Sequence, residues 1–287
     1  MKKLKDGLFL ASQFILPHHL ISRLAGFFAE STQPFIRKPL IRLFSKHFKI
    51  SLEDAVIEDP DQFSSFNAFF TRALKPSARP IDPNTTTWVS PVDGEVSQFG
   101  VIENDQIIQA KNHHYSLTTL FGGDTEMAHR YENGQFMTIY LSPSDYHRIH
   151  MPQAARLIKT TFIPGKLYSV NQLTADKVGG LFAKNERLVC EFETDTGYFT
   201  MVLVGAMIVA SIETTWSGVV APMRKQIVQT DFKKIQPVSF VKGEEMGRFK
   251  LGSTVILTFE PKQLSFKATI GHGTRLKLGE AIGVGCN

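Results

Sequence analysis

From Trp88 onward the pattern of apolar and polar positions changes to short strand-like runs, with Gly or Pro at most of the joints between them. "GQFMTIYLSP", "ARLIKTTFIPG", "RLVCEFETDTGYFTMVLVGAMIVASI" and "STVILTF" are the clearest of these runs. Short apolar-rich runs bounded by turn formers predict strands. The first sixty residues follow a different pattern. Leu8, Phe9, Phe14, Ile15, Leu20, Ile21, Leu24, Phe27 and Phe28 recur at helical spacing, with a break at Pro17. "PFIRKPLIRLFSKHFKI" then sets Phe35, Ile36, Leu40, Leu43 and Phe44 beside Arg37, Lys38, Arg42 and Lys46, the pattern of a basic amphipathic helix. A further helix is predicted over Ser64–Leu74, capped by Ser64 or Ser65, with Phe66, Phe69, Phe70 and Leu74 as a core stripe and "KPSARPIDP" as its stop. These patterns predict an α+β protein: an antiparallel-dominated β core, sandwich or partly closed barrel, carrying N-terminal amphipathic helices. They divide it into a helical segment, residues 1–60, and a β-rich domain, residues 61–287.

Charge sharpens that division. The net charge is +5, yet residues 1–49 hold nine Lys or Arg against two acids, so the remainder is slightly negative. The basic character belongs to the N-terminal arm, which suits an anionic membrane surface rather than nucleic acid. No run approaches the roughly 18 uncharged apolar residues of a membrane-spanning helix. Two cysteines far apart, Cys190 and Cys286, and no secretory leader point to a reducing, cytoplasmic-side location.

Three stretches could carry chemistry. Asp93 in "PVDG" sits where a turn is expected. "YLSPSDYHRIH" gathers Asp145, Tyr146, His147, Arg148 and His150. Its two histidines suit general acid–base work, and zinc ligation by His147 and His150 on a β scaffold, as in a zinc-dependent hydrolase, is the alternative. In an extended stretch residues three apart face opposite ways, which predicts separate jobs for the two. "MGRFKLGSTVIL" contains a Gly252-Ser253 bond. It reads as a plain turn, or as a serine hydroxyl poised beside a carbonyl that no side chain shields.

Taken together, these stretches resemble the bacterial phosphatidylserine decarboxylases. "FKLGSTV" is similar to that family's self-cleavage motif and "DYHRIHMP" to its histidine block. "SPVDG" resembles its aspartate motif, and "SFNAFFTRALKPSARP", "NERLVCEF" and "VGAMIVASIET" resemble its other motifs. The resemblance implies a proenzyme cut between Gly252 and Ser253 into a β chain, 1–252, and an α chain, 253–287. It implies a self-processing triad of Asp93, His150 and Ser253, with His150 as base. It implies a covalent pyruvoyl cofactor made from Ser253, and no metal. That group would form a Schiff base with phosphatidylserine and release carbon dioxide and phosphatidylethanolamine. His147 is the candidate for protonating the carbanion. The expected setting is peripheral, on the cytoplasmic side of the inner membrane, with a homodimer of the αβ unit as the expected assembly.

Overall fold

A computed structural model describes residues 2–110, 113–206, 211–221, 225–235, 237–250 and 253–286. Its arm consists of α1 (Lys2–Ile15), α2 (His18–Glu30) and α3 (Pro34–Phe48). Pro17 lacks an N–H to continue the ladder and separates the first two helices, as its position predicts. No helix among the described residues is long and apolar enough to cross a membrane.

The expected Ser64–Leu74 helix is shorter than its pattern. The fourth helix, α4 (Phe66–Phe70), is capped by Ser65, whose Oγ accepts the Ala68 N–H at 3.1 Å. It ends at Thr71 because the following residues are drawn elsewhere: Leu74 bridges to Ala55, and Arg72 reaches the Ser144 carbonyl. The phenylalanine stripe is core as read. Phe66, Phe69 and Phe70 pack with Phe63, Ile41 and Ala29, so α4 clamps α2 and α3 to the body.

The β core is built on β1 (Gly94–Val101), β2 (Gln135–Leu141), β3 (Arg148–His150), β4 (Ala155–Ile163), β5 (Arg187–Thr194), β6 (Gly197–Val204), β7 (Glu245–Phe249) and β8 (Ser253–Phe259). A nine-stranded open sheet runs Val228–Asp231, β4, β5, β6, β8, β2, β1, Arg275–Leu276, with Val238–Phe240 also on β4. Its strand pairs are all antiparallel. One face packs against two smaller sheets. These contain β3 with β7 and Ile212–Thr214, and Thr87–Val89 with Ala281–Gly285 and Leu264–Phe266. Short helices cover the other face through Leu120, Met127, Leu181 and Phe182. The architecture is a sandwich on one side and α-on-β on the other, not a closed barrel.

Candidate active site

Ser253 heads β8, near the centre of the large sheet. It pairs with Leu141 of β2, and Thr254 pairs with both Tyr140 of β2 and Val204 of β6. Ser253 is fully buried and its Oγ has no hydrogen-bond partner among the described residues. A buried hydroxyl left unpaired costs about 1–3 kcal/mol, and the neighbouring Thr254 hydroxyl and that of Thr138 share this state. Leu251 and Gly252 lie outside the described residues.

Asp93 occupies the turn entering β1. Gly94 follows because a Cβ there would lie 2.7 Å from the Tyr140 carbonyl oxygen. The Asp93 carboxylate is tightly held: Arg79 donates through Nε at 2.9 Å and Nη2 at 2.6 Å, and the Leu278 N–H donates at 2.8 Å. Arg79 also donates to Asp54 at 2.9 Å. These carboxylates hold the guanidinium even more firmly charged than usual, the Asp93 hydrogen bonds being the largest cause.

His150 ends β3 against that turn, its backbone N–H donating to the Pro91 carbonyl at 2.9 Å. Its Nδ1 donates to the Gly243 carbonyl at 2.8 Å. Gly243 sits at φ 80°, where a Cβ would strike Ile81 at 2.7 Å. A carbonyl only accepts, so the neutral ring carries its lone pair on Nε2, which lies 3.4 Å from the Tyr146 hydroxyl. Burial lowers the pKa of His150. The neutral ring is a base with a fixed tautomer, oriented by the Gly243 carbonyl. Asp93 lies close enough for its charge to act on His150, but its carboxylate is bonded to Arg79 and Leu278 and not to the imidazole.

His147 has other surroundings. It is fully buried, stacked on Phe70 with ring centroids 4.1 Å apart, and Nε2 donates to the Ser142 carbonyl at 3.0 Å. Nδ1 is unpartnered. Burial, reinforced by the neighbouring Arg72 charge, pushes its pKa down to about 3. Ser142 adjoins Leu141, the partner of Ser253, so the His147 ring is tied to the strand end beside the serine. By contrast His150 pairs with Glu245, at the far end of β7 from Ser253. The two histidines therefore do sit in separate environments. The zinc alternative has no support: among the described residues no cluster of three His, Cys, Asp or Glu side chains could hold a metal.

Sequence reading gave no role to Arg79 or Gly243. Arg79, although inside the "SFNAFFTRALKPSARP" stretch, is brought in by the loop after α4, and Gly243 by the turn before β7. No local pattern marks Gly243.

The phosphatidylserine decarboxylase family matches residues 66–284, and a second family, PSD, matches residues 8–49. The phosphatidylserine decarboxylase proenzyme of Azotobacter vinelandii is 51% identical over 282 residues, 98% of this chain and 99% of that one. The proenzyme of Alcanivorax borkumensis is 49% identical, covering 99% and 98% of the two chains. That of Bordetella pertussis is 50% identical, covering 97% and 94%.

Proposed function

This chain belongs to the phosphatidylserine decarboxylase family, and from that premise we propose how its residues carry out maturation and turnover. The activity is conversion of phosphatidylserine to phosphatidylethanolamine and carbon dioxide by a protein made as a proenzyme. The observation that carries the mechanism is the buried, unpartnered Ser253 hydroxyl at the head of a central strand.

In maturation Ser253 Oγ attacks the Gly252 carbonyl. An Oγ–C bond forms, the amide C–N bond breaks, and the nitrogen takes up the proton that the hydroxyl loses. His150, neutral and with its Nε2 lone pair turned to the Tyr146 hydroxyl, is assigned as the base for that proton on the family resemblance, although it pairs with Glu245 rather than lying beside Ser253. Asp93 acts on it through its field and through the turn that seats β3. Loss of the Cα proton of residue 253 then breaks the Cβ–O ester bond and frees the carboxylate of residue 252. Addition of water and departure of ammonia leave a pyruvoyl group at residue 253. Held there, that group would supply an electrophilic carbonyl for the substrate amine and an electron sink for the decarboxylation. The site fits such a group: Ser253 is dry, and Gly205 presents no side chain beside it. His147 is placed beside this strand end, and we assign it to the proton that replaces carbon dioxide.

The arm supplies the setting. Phe14, Ile15, Leu24, Phe27, Phe35 and Leu43 are exposed on α1–α3, a set of large apolar side chains suited to the headgroup boundary of a bilayer. Arg37, Lys38 and Arg42 are less free than the sequence pattern implies. Arg37 donates to the Asp61 and Phe63 carbonyls, and Lys38 and Arg42 both pair with the Asp61 carboxylate. Docking therefore rests more on the apolar residues than on these three cations.

The test is the intact mass of purified protein: two chains, 1–252 and 253–287, the smaller lacking a free amino terminus. Ser253→Ala should remain one chain. Wild-type protein that stays full length and releases no carbon dioxide from phosphatidylserine would refute the reading.

A further inference from the structure

Four acidic residues are buried among the described residues: Asp93, Asp145, Glu186 and Glu191. Three have a cation: Asp93 has Arg79, Asp145 has Arg275, and Glu191 has Arg130. Glu186 has none. It is 5% exposed, and its carboxyl makes no hydrogen bond or ion pair with any described residue. Its backbone is fully used, the N–H donating to the Lys166 carbonyl and the carbonyl accepting from Gly205. The neighbouring Arg187 turns its guanidinium to the carbonyls of Thr119, Leu120 and Asn185. A buried carboxyl without a partner is costly, and a protein that keeps one pairs it with a cation or holds it protonated.

The ladder shows where this carboxyl faces. Arg187 pairs with Val204, and Val204 with Thr254. One step along, the Gly205 N–H donates to the Glu186 carbonyl at 2.9 Å, and Ser253 pairs with Leu141. Glu186, Gly205, Ser253 and Leu141 therefore form one row across four strands. Paired residues of antiparallel strands share a face. The row two residues along confirms which face it is: Leu188, Leu203, Val255 and Ile139 all lie in the same core cluster. Glu186 and Ser253 thus project from the same side of the sheet, two strands or about 10 Å apart, with a residue that has no side chain between them. Among the described residues, the only side-chain atom within 4 Å of a Cβ built on Gly205 is Leu167 Cδ2, at 3.5 Å.

The phosphatidylserine headgroup carries an ammonium, and only the deprotonated amine can attack a keto carbon. We propose that Glu186 receives the ammonium of the substrate across Gly205 and takes a proton from it, delivering the free amine to residue 253. One N–H bond breaks, its electron pair stays on nitrogen, and the proton passes to a Glu186 carboxylate oxygen. Burial raises the Glu186 pKa to about 7, so an appreciable fraction is ionised at neutral pH and available as base. The proposal rests on the decarboxylase reading above and adds a recognition residue to it.

The test uses Glu186→Gln purified after maturation. A gel should show the same two chains as wild type, since Glu186 is assigned to the lipid and not to Ser253. Turnover of phosphatidylserine should fall about 10²–10⁴-fold. Calorimetric titration supplies a readout apart from activity. Dihexanoyl phosphatidylethanolamine, which bears the ammonium, should bind at least ten times more weakly than to wild type. Dihexanoyl phosphatidic acid, which lacks it, should bind within twofold. Glu186→Asp, which keeps the charge, should recover part of the preference and replaces Glu186→Gln if that variant does not fold. Equal weakening for both lipids, no weakening for either, or a variant that stays uncleaved would overturn the assignment. A wild-type protein that releases no carbon dioxide would fail the underlying reading instead.

Discussion

Lys250, three residues before Ser253, is joined to Glu30 at the end of α2 by an ion pair of 3.0 Å, and to Glu213 at 3.3 Å. The N-terminal helical arm is therefore tied to the segment that leads toward the proposed cleavage site. Glu30 is over half exposed, so the pair contributes little to global stability, about 0–1 kcal/mol. Its effect should be local. Glu30→Gln is expected to leave the melting temperature nearly unchanged and to speed proteolytic nicking between α2 and α3. An unchanged nicking rate would show that packing by α4 alone holds the arm.

The two histidines should separate by step. His150→Ala should accumulate uncleaved precursor, because it removes the base assigned to Ser253. His147→Ala should cleave and then turn over about 10²–10⁴-fold more slowly. A gel beside a carbon dioxide assay reads both. A fully cleaved His150→Ala would remove it from the maturation step.

Arg79→Met should leave the Asp93 carboxylate buried with only the Leu278 N–H as partner. Losing one member of a buried pair typically costs about 3–5 kcal/mol. The expected outcome is a large drop in melting temperature together with slow maturation. Arg79→Met combined with Asp93→Asn should regain much of the stability and none of the maturation rate. Equal stability of the single and double variants would show that Asp93 does not depend on Arg79.

Acid should destabilise the fold through His147. Its folded pKa of about 3 lies below its ordinary 6.5, so the unfolded chain binds the extra proton. The stability from keeping this ring neutral is full above pH 6.5 and is lost as pH falls toward 3, by about 1.4 kcal/mol per unit. Glu186 works in the opposite sense. Its pKa is raised from 4.5 to about 7, so its contribution is full below 4.5 and is lost as pH rises to 7. The two slopes oppose each other between 4.5 and 6.5. Melting temperatures of His147→Gln and wild type, compared from pH 7 to 4, isolate the histidine. The gap should narrow steadily on acidification. A constant gap would mean that folding does not change the proton affinity of His147.

Vesicle binding should follow the apolar residues of the arm. Replacing Ile15, Leu24 and Phe27 by Ser removes three exposed side chains. Full burial of such a group is worth about 1.5–3 kcal/mol, so sedimentation with anionic vesicles should fall by well over tenfold. High salt should reduce it less. Undiminished binding of the triple variant would place the lipid contact elsewhere.

What the sequence disclosed follows the range of the forces involved. The short apolar runs of β2, β6 and β8, bounded by turn formers, and the break at Pro17 are local effects, and the sequence alone shows them. The phenylalanine stripe was recognisable as core, but its helix length was not. The ties that end it, Leu74 to Ala55 and Arg72 to Ser144, come from elsewhere in the chain. The same holds at the site. Ser253, Asp93 and the histidines stand out by their motifs. The Gly243 carbonyl that fixes His150 lies 93 residues away from it. Glu186 is a single carboxylate in an ordinary strand until the ladder sets it in the row of Ser253.

The scissile position also has a mechanical meaning. A chain cut before Ser253 begins a fragment of 35 residues at the head of β8, which is bonded along one edge to residues 135–141 and along the other to 199–204. Those two seams outlast the break, so the short piece stays woven into the sheet as an inlaid strand. The cut consumes the one linkage that brought it there. Such an enzyme is assembled once: denaturant should separate the two pieces, and their return would be a bimolecular, concentration-dependent event rather than the refolding of a single chain.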